Sequence, residues 1–140
     1  MFNVVYQVKV IVMITDLEEG GKVKAHQYWP DSNNPVVNLG TGVKLEFMEI
    51  SYPGEYVQRT FRLVLPGGTS REVVQIQTKK WQDLTAPDKT KILRDMVHKV
   101  RELMECHQAP ILVHCSAGVG RTGTFIAVYK LLDDYLDDRC

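Results

Sequence analysis

Residues 114–122 read His-Cys-Ser-Ala-Gly-Val-Gly-Arg-Thr, directly after the apolar run Ile111, Leu112 and Val113. An aliphatic run, then two glycines, then a helical pattern predicts a strand, a tight loop and a helix N-terminus. Such a loop gathers the backbone N–H groups of Ser116, Ala117, Gly118, Val119, Gly120 and Arg121 into one concavity. With a helix N-terminus behind it, that concavity is an anion site. Arg121 adds a planar fork matched to phosphate oxygens. Cys115 lies at the floor of the same site, where a positive surrounding favours a thiolate. A sulfur nucleophile aimed at a bound phosphate predicts phosphoryl transfer through a covalent cysteine intermediate.

Other motifs can be read in the same stretch. Gly118, Gly120 and Gly123 satisfy G-x-G-x-x-G, a dinucleotide fingerprint. That fingerprint belongs in a first βα unit with further units after it and an acidic residue about 20 positions on. Here a single helix follows before Cys140, Asp137 and Asp138 read as a solvated helix end, and Cys115 and Arg121 would go unexplained. A Walker-type loop fails because no Gly-Lys-Ser/Thr follows. A cysteine of the protease or thioesterase kind needs a partner histidine. His114 is a poor candidate, because neighbours on a strand point to opposite sides. It reads instead as a hydrogen-bonding brace behind the loop.

The rest of the chain is consistent with one domain or part of one. At 44% apolar and 24% charged residues, its 140 residues have ordinary globular composition, and a formal net charge of zero gives no field for nucleic acid. Three cysteines, at 106, 115 and 140, have neither paired nor metal-site spacing, which points to a reducing compartment. The apolar stretch 10–14 is far too short to span a bilayer, and the N-terminus carries no secretory pattern.

Alternating or β-rich patterns predict strands over 8–15, 43–50, 56–65, 71–77 and 111–113, with residues 31–42 as loop. Gly20-Gly21 and the run 66–69 read as turns. Helical periodicity covers 88–107, with a stripe of Ile92, Leu93, Met96, Val97, Val100, Leu103 and Met104. A final helix over 120–138 carries Phe125, Val128, Leu131, Leu132, Tyr135 and Leu136. The expected fold is α/β: a mixed, highly twisted sheet flanked by helices, with the phosphate loop between the last strand and the last helix.

The run from His114 to Phe125 resembles the signature loop of the classical protein tyrosine phosphatases. Two upstream segments carry the resemblance further. Lys24-Ala25-His26-Gln27-Tyr28-Trp29-Pro30 resembles the family's Lys-Cys-x-x-Tyr-Trp-Pro segment, with Ala25 in the cysteine's place. Trp81-Gln82-Asp83-Leu84-Thr85-Ala86-Pro87 resembles its mobile Trp-Pro-Asp loop, in the expected order ahead of the nucleophile. The resemblance implies hydrolysis of phosphotyrosine on proteins by a phosphocysteine route, with no cofactor and no metal. It also implies a catalytic domain substantially longer than residues 1–140, so the chain is expected to be truncated at both ends.

Roles follow residue by residue. Cys115 is the nucleophile and Arg121 the phosphate clamp. Thr122 can hydrogen-bond the sulfur and help it leave, or serve as a first-turn hydroxyl. Asp83 is the candidate general acid, needed because a phenolate leaves poorly near neutral pH; the other reading is a helix-capping aspartate. Trp81 resembles the family's hinge tryptophan. Glu19 and Lys24 match positions that brace the signature arginine and the acid loop, or form a solvated turn beside Gly20-Gly21. Asp31, although it follows Trp29-Pro30, is not assigned as the acid. Tyr28 and Trp29 read as core packing. Gln82 departs from the family's proline, which frees the backbone and puts loop closure in question. That departure leaves a second function open, a phosphotyrosine-binding pseudophosphatase. A dual-specificity phosphatase is disfavoured by the Tyr-Trp-Pro segment. Expected partners are phosphotyrosine proteins, not nucleic acid. The expected location is the cytoplasm, including the cytoplasmic part of a receptor.

Overall fold

A computed structural model of the chain describes residues 8–79, 81, 86–104, 110–116 and 120–135. Among the described residues the strands are β1 (Val10–Met13), β2 (Glu18–Glu19), β3 (Lys22–Val23), β4 (Val36–Gly40), β5 (Val43–Ser51), β6 (Val57–Val64), β7 (Ser70–Gln77) and β8 (Ile111–His114). Its helices are α1 (Ala86–Met104) and α2 (Gly120–Tyr135). Six strands form one mixed sheet in the order β4-β5-β6-β7-β1-β8, and β2 pairs with β3 as a separate ribbon.

Strand β1 runs parallel to both β7 and β8, while β4 through β7 form an antiparallel meander. The carboxyl ends of β7, β1 and β8 therefore lie along one edge, which in open α/β sheets is where ligands bind. Register shifts between Asn38 and Gly40 and between Phe47 and Glu49 add local twist, and the sheet curls into a half-barrel.

Both faces of the sheet are covered, which explains why β1 is apolar at every position. On the helix face, Val10, Val12, Ile14 and Ile76 meet Ile92, Met96, Val97 and Val100 of α1 and Phe125 of α2. On the opposite face, Ile11, Met13, Phe61, Leu63 and Val73 enclose Trp29. The apolar stripe expected on α1 is the face it buries, and Phe61 and Leu63 are buried as their alternation requires.

Several expectations need correction. Residues 31–42 hold an edge strand, β4, because its alternation is masked by exposure on both faces at the sheet margin. The first strand is shorter than 8–15, although Val8, Ile14 and Thr15 remain buried. Helix α1 begins at Ala86. Leu131 is 71% exposed, so it does not share the buried stripe of Phe125. On β7, Val74 and Ile76 face the helices, while Val73, Gln75 and Gln77 are buried on the opposite face, so both faces of this strand are covered. Residues 105–109 and 136–140, which include Cys106, His107, Leu136 and Cys140, lie outside the described residues.

Candidate active site

The site begins where β8 ends. His114 closes the strand, Cys115 follows it half-buried, and α2 starts at Gly120, so that Arg121 and Thr122 occupy the helix's first turn. Ala117, Gly118 and Val119 lie outside the described residues. The two ends of the loop nevertheless converge. Thr122 Oγ1 lies 3.0 Å from Cys115 Sγ. A hydroxyl at that distance donates to the sulfur and stabilises negative charge on it.

Arg121 is held from a different part of the chain. Its Nη1 donates to Glu19 Oε2 at 2.8 Å and reaches the Ile14 carbonyl at 3.4 Å. The Glu19 side chain is 6% exposed, and the arginine beside it holds its carboxyl below the usual carboxylate range. What brings Glu19 there is local. Glu19 pairs with Lys22 across the two-residue turn Gly20-Gly21, whose φ values are +60° and +78°. A primed hairpin turn needs that left-handed backbone at both positions, which glycine adopts without strain. The ribbon is tied down by Lys24 N and Ala25 N, both donating to Leu17 O.

Glu19, Lys24, Cys115, Ser116, Gly120 and Arg121 line one open cleft of about 300 Å³. Thus the two charged residues of the Gly-Gly turn, which sequence left between a brace and a solvated face, are brought to the cysteine. Trp81 packs half-buried against the core cluster that β1 shares with α1 and α2. Asp83 and Gln82 lie outside the described residues. Asp31 anchors a turn instead. Its Oδ1 accepts from Asn33 N at 3.0 Å and Asn34 N at 2.9 Å, and Gln27 Nε2 reaches Oδ2 at 2.9 Å.

The His114 ring is met by Tyr28, whose hydroxyl lies 2.9 Å from His114 Nε2. Burial holds the His114 ring below the usual histidine value, and burial pushes the Tyr28 hydroxyl up to about 12. Tyr28 is therefore more than core packing. Its hydroxyl also receives Gln75 Nε2 at 2.9 Å, and Gln75 Oε1 takes Arg59 Nη1 at 2.9 Å. Sequence reading missed Gln75, Gln77 and Arg59. The available signal was two glutamines at period two in the half of β7 that also carries Val73, Val74 and Ile76, a pattern that buries polar groups.

The family model described as Protein-tyrosine phosphatase matches residues 3–140. The chain is 39% identical over 131 residues to receptor-type tyrosine-protein phosphatase V of Rattus norvegicus, covering 90% of this chain and 7% of that protein. To tyrosine-protein phosphatase 2 of Schizosaccharomyces pombe it is 35% identical over 130 residues, covering 88% of this chain and 17% of the other. The solved catalytic domain of human protein tyrosine phosphatase non-receptor type 18 superposes with a TM-score of 0.86 at 26% identity, covering 98% of this chain and 49% of that one. The chain thus spans about half of that solved domain and a small share of its longer relatives. Fold, site geometry and relatives agree that this chain belongs to the protein-tyrosine phosphatase family.

Proposed function

We propose that the chain hydrolyses phosphotyrosine on proteins through a phosphocysteine intermediate. The observation that carries this reading is the convergence of Thr122 Oγ1 on Cys115 Sγ at 3.0 Å, beside an arginine held at 2.8 Å by Glu19. In the first step the Cys115 thiolate attacks phosphorus, a P–S bond forms and the P–O bond to tyrosine breaks. Asp83 gives its proton to the departing phenolate. In the second step water attacks phosphorus, Asp83 takes back a proton, and the P–S bond breaks. Inorganic phosphate leaves and the thiolate is restored, stabilised by the Thr122 hydroxyl. Arg121 and the loop amides hold the phosphoryl oxygens throughout. No step calls for a metal or cofactor.

A sulfur nucleophile works only where it stays reduced, which supports a cytoplasmic setting. Among the described residues, no helix is long and apolar enough to cross a membrane. The test is hydrolysis of an aryl phosphate by wild type and by Cys115→Ser. Turnover lost in the variant is the expected result. Equal rates would overturn the reading. Retained binding of a phosphotyrosine peptide without turnover in wild type would favour the pseudophosphatase.

A further inference from the structure

Behind the cysteine loop, a chain of side-chain hydrogen bonds crosses the face of the sheet opposite the helices. It starts at Arg59, on β6, which is 8% exposed and has its guanidinium 4.7 Å from the centre of the Trp29 ring. Arg59 Nη1 donates to Gln75 Oε1 at 2.9 Å and to Gln77 Oε1 at 2.7 Å. Gln75 is fully buried in the central strand β7, and its Nε2 reaches Tyr28 OH at 2.9 Å. Tyr28 OH in turn lies 2.9 Å from His114 Nε2. The residue after His114 is Cys115.

The direction of this chain follows from the donor inventory. An arginine has five N–H donors and no acceptor, so only an amide oxygen can face it. That fixes the Gln75 side chain, whose two ends are otherwise near-indistinguishable. The same logic holds for Gln77, which faces Arg59 with Oε1 and sends Nε2 to the Thr15 carbonyl at 2.8 Å. With its oxygen toward Arg59, Gln75 must offer N–H to Tyr28. The phenolic oxygen accepts from Gln75, and among the described residues the acceptor left for its own proton is His114 Nε2. A ring nitrogen that accepts a hydrogen bond carries no proton, so the neutral imidazole holds its proton on Nδ1.

We infer that Arg59 and Gln75 are positioning residues: they set the donor direction of the relay and so hold His114 in its Nδ1–H tautomer behind Cys115. A second observation fits. The His114 ring also meets the Cys115 backbone, a contact that favours the protonated ring, as a carbonyl acceptor for Nδ1–H does. The tautomer thus ties the ring to the main chain of the residue that carries the nucleophile. A bond at that point fixes the peptide at the start of the loop, where rotation would re-aim the sulfur. Among the described residues, the Arg59 guanidinium donates to two neutral amides, although its burial disfavours the charge. A buried cation spent on orienting two amides is a costly way to fill space, and the relay gives it a purpose.

The importance of the relay for turnover rests on the phosphatase reading, but the tautomer is read without turnover. The experiment is a long-range nitrogen–proton correlation spectrum of the histidine rings in the full chain near neutral pH. The His114 signals are identified by their loss in His114→Asn. Wild type is expected to show a protonated Nδ1 and an unprotonated Nε2. In Gln75→Glu the new carboxylate can still pair with Arg59, but it accepts the hydrogen bond of the Tyr28 hydroxyl, so the two ring-nitrogen signals are expected to exchange character. Tyr28→Phe, at a half-exposed ring, removes the donor altogether and is expected to leave a mixture of tautomers. A protonated Nε2 in wild type overturns the inference whatever the variants do. An unchanged single tautomer in Gln75→Glu or in Tyr28→Phe overturns it as well. Loss of phosphatase activity in the wild-type chain, with the expected spectrum, would remove the proposed function and leave the relay standing.

Discussion

At the residue scale, Glu19 shows how a carboxylate far upstream can hold a catalytic candidate. It is nearly enclosed, and its ion-pair partner among the described residues is Arg121, 102 positions away in sequence. A charge-assisted bond of this kind contributes about 1.5–3 kcal/mol, and 1.4 kcal/mol is about tenfold in rate. Glu19→Gln keeps the shape and removes the charge, so kcat/KM for an aryl phosphate is expected to fall about tenfold or more. Thr122 gives a different kinetic signature. Its hydroxyl faces the sulfur, so Thr122→Ala is expected to slow the second step more than the first. Quench-flow measurement with a phosphate-labelled substrate would then find phosphocysteine accumulating. Equal slowing of both steps would argue for a merely structural hydroxyl. Gln82, in the stretch that carries the candidate acid, invites a third test. Restoring the family's proline with Gln82→Pro is expected to raise kcat if loop closure limits turnover. Fast single-turnover phosphorylation in wild type that the proline does not improve would count against that view.

The elements differ in how they are held. Helix α1 buries a continuous stripe against β1, whereas among the described side chains of α2 one large one is fully buried, Phe125, at 1% exposure. The first turn of α2 carries Arg121 and Thr122, so Phe125 anchors the helix one turn beyond the site. Its ring also stacks on Tyr129 at 6.3 Å. Truncating a buried phenylalanine costs about 3–5 kcal/mol through lost transfer energy and the remaining cavity. Phe125→Ala is expected to shift the denaturant midpoint accordingly and to loosen Arg121. The same substitution at exposed Ile126 is expected to change stability by less than about 0.5 kcal/mol. The β2–β3 ribbon works through backbone conformation instead of burial. Any side chain with a Cβ at Gly20 or Gly21 meets no steric contact but must adopt positive φ. The resulting strain falls on the turn that places Glu19.

At the scale of the whole molecule, two titrating groups act in the same direction. The folded His114 ring is held below its ordinary value of 6.5, so on acidification the unfolded chain takes a proton before the folded one. Its contribution to stability is complete above about pH 6.5 and falls as pH drops toward the folded value. Glu19 is held below its ordinary 4.5, so its contribution is present above that value and is lost as pH falls through the folded value. A melting-temperature profile is therefore expected to fall in two stages on acidification, and His114→Asn to remove the earlier one. The exposed surface makes a separate demand. Leu131 at 71% and Ile126 at 51% lie on α2, and Leu112 at 46% lies on the edge strand β8. Exposed apolar side chains of this size promote association. Leu131→Lys is expected to lower concentration-dependent light scattering of the chain without moving its melting midpoint.

The sequence by itself determined the chemistry of the loop. Cysteine, glycines, arginine and threonine at this spacing follow an apolar strand and open a helix, and local rules suffice to read each step. It also determined the α1 stripe and the Gly-Gly turn, because periodicity and turn chemistry act within a few residues. Only the tertiary structure decided which distant groups meet. Glu19 reaches Arg121 because β1, which leads into the ribbon, pairs in parallel with β8, which leads toward the helix that carries Arg121. The edge strand β4 and the exposure of Leu131 were not legible, since burial of an edge depends on what lies beside it. The Arg59–Gln75–Tyr28 relay was hidden for the same reason. Its members lie on three segments, and a buried polar residue reveals its partner only when the sheet brings the two within hydrogen-bond distance.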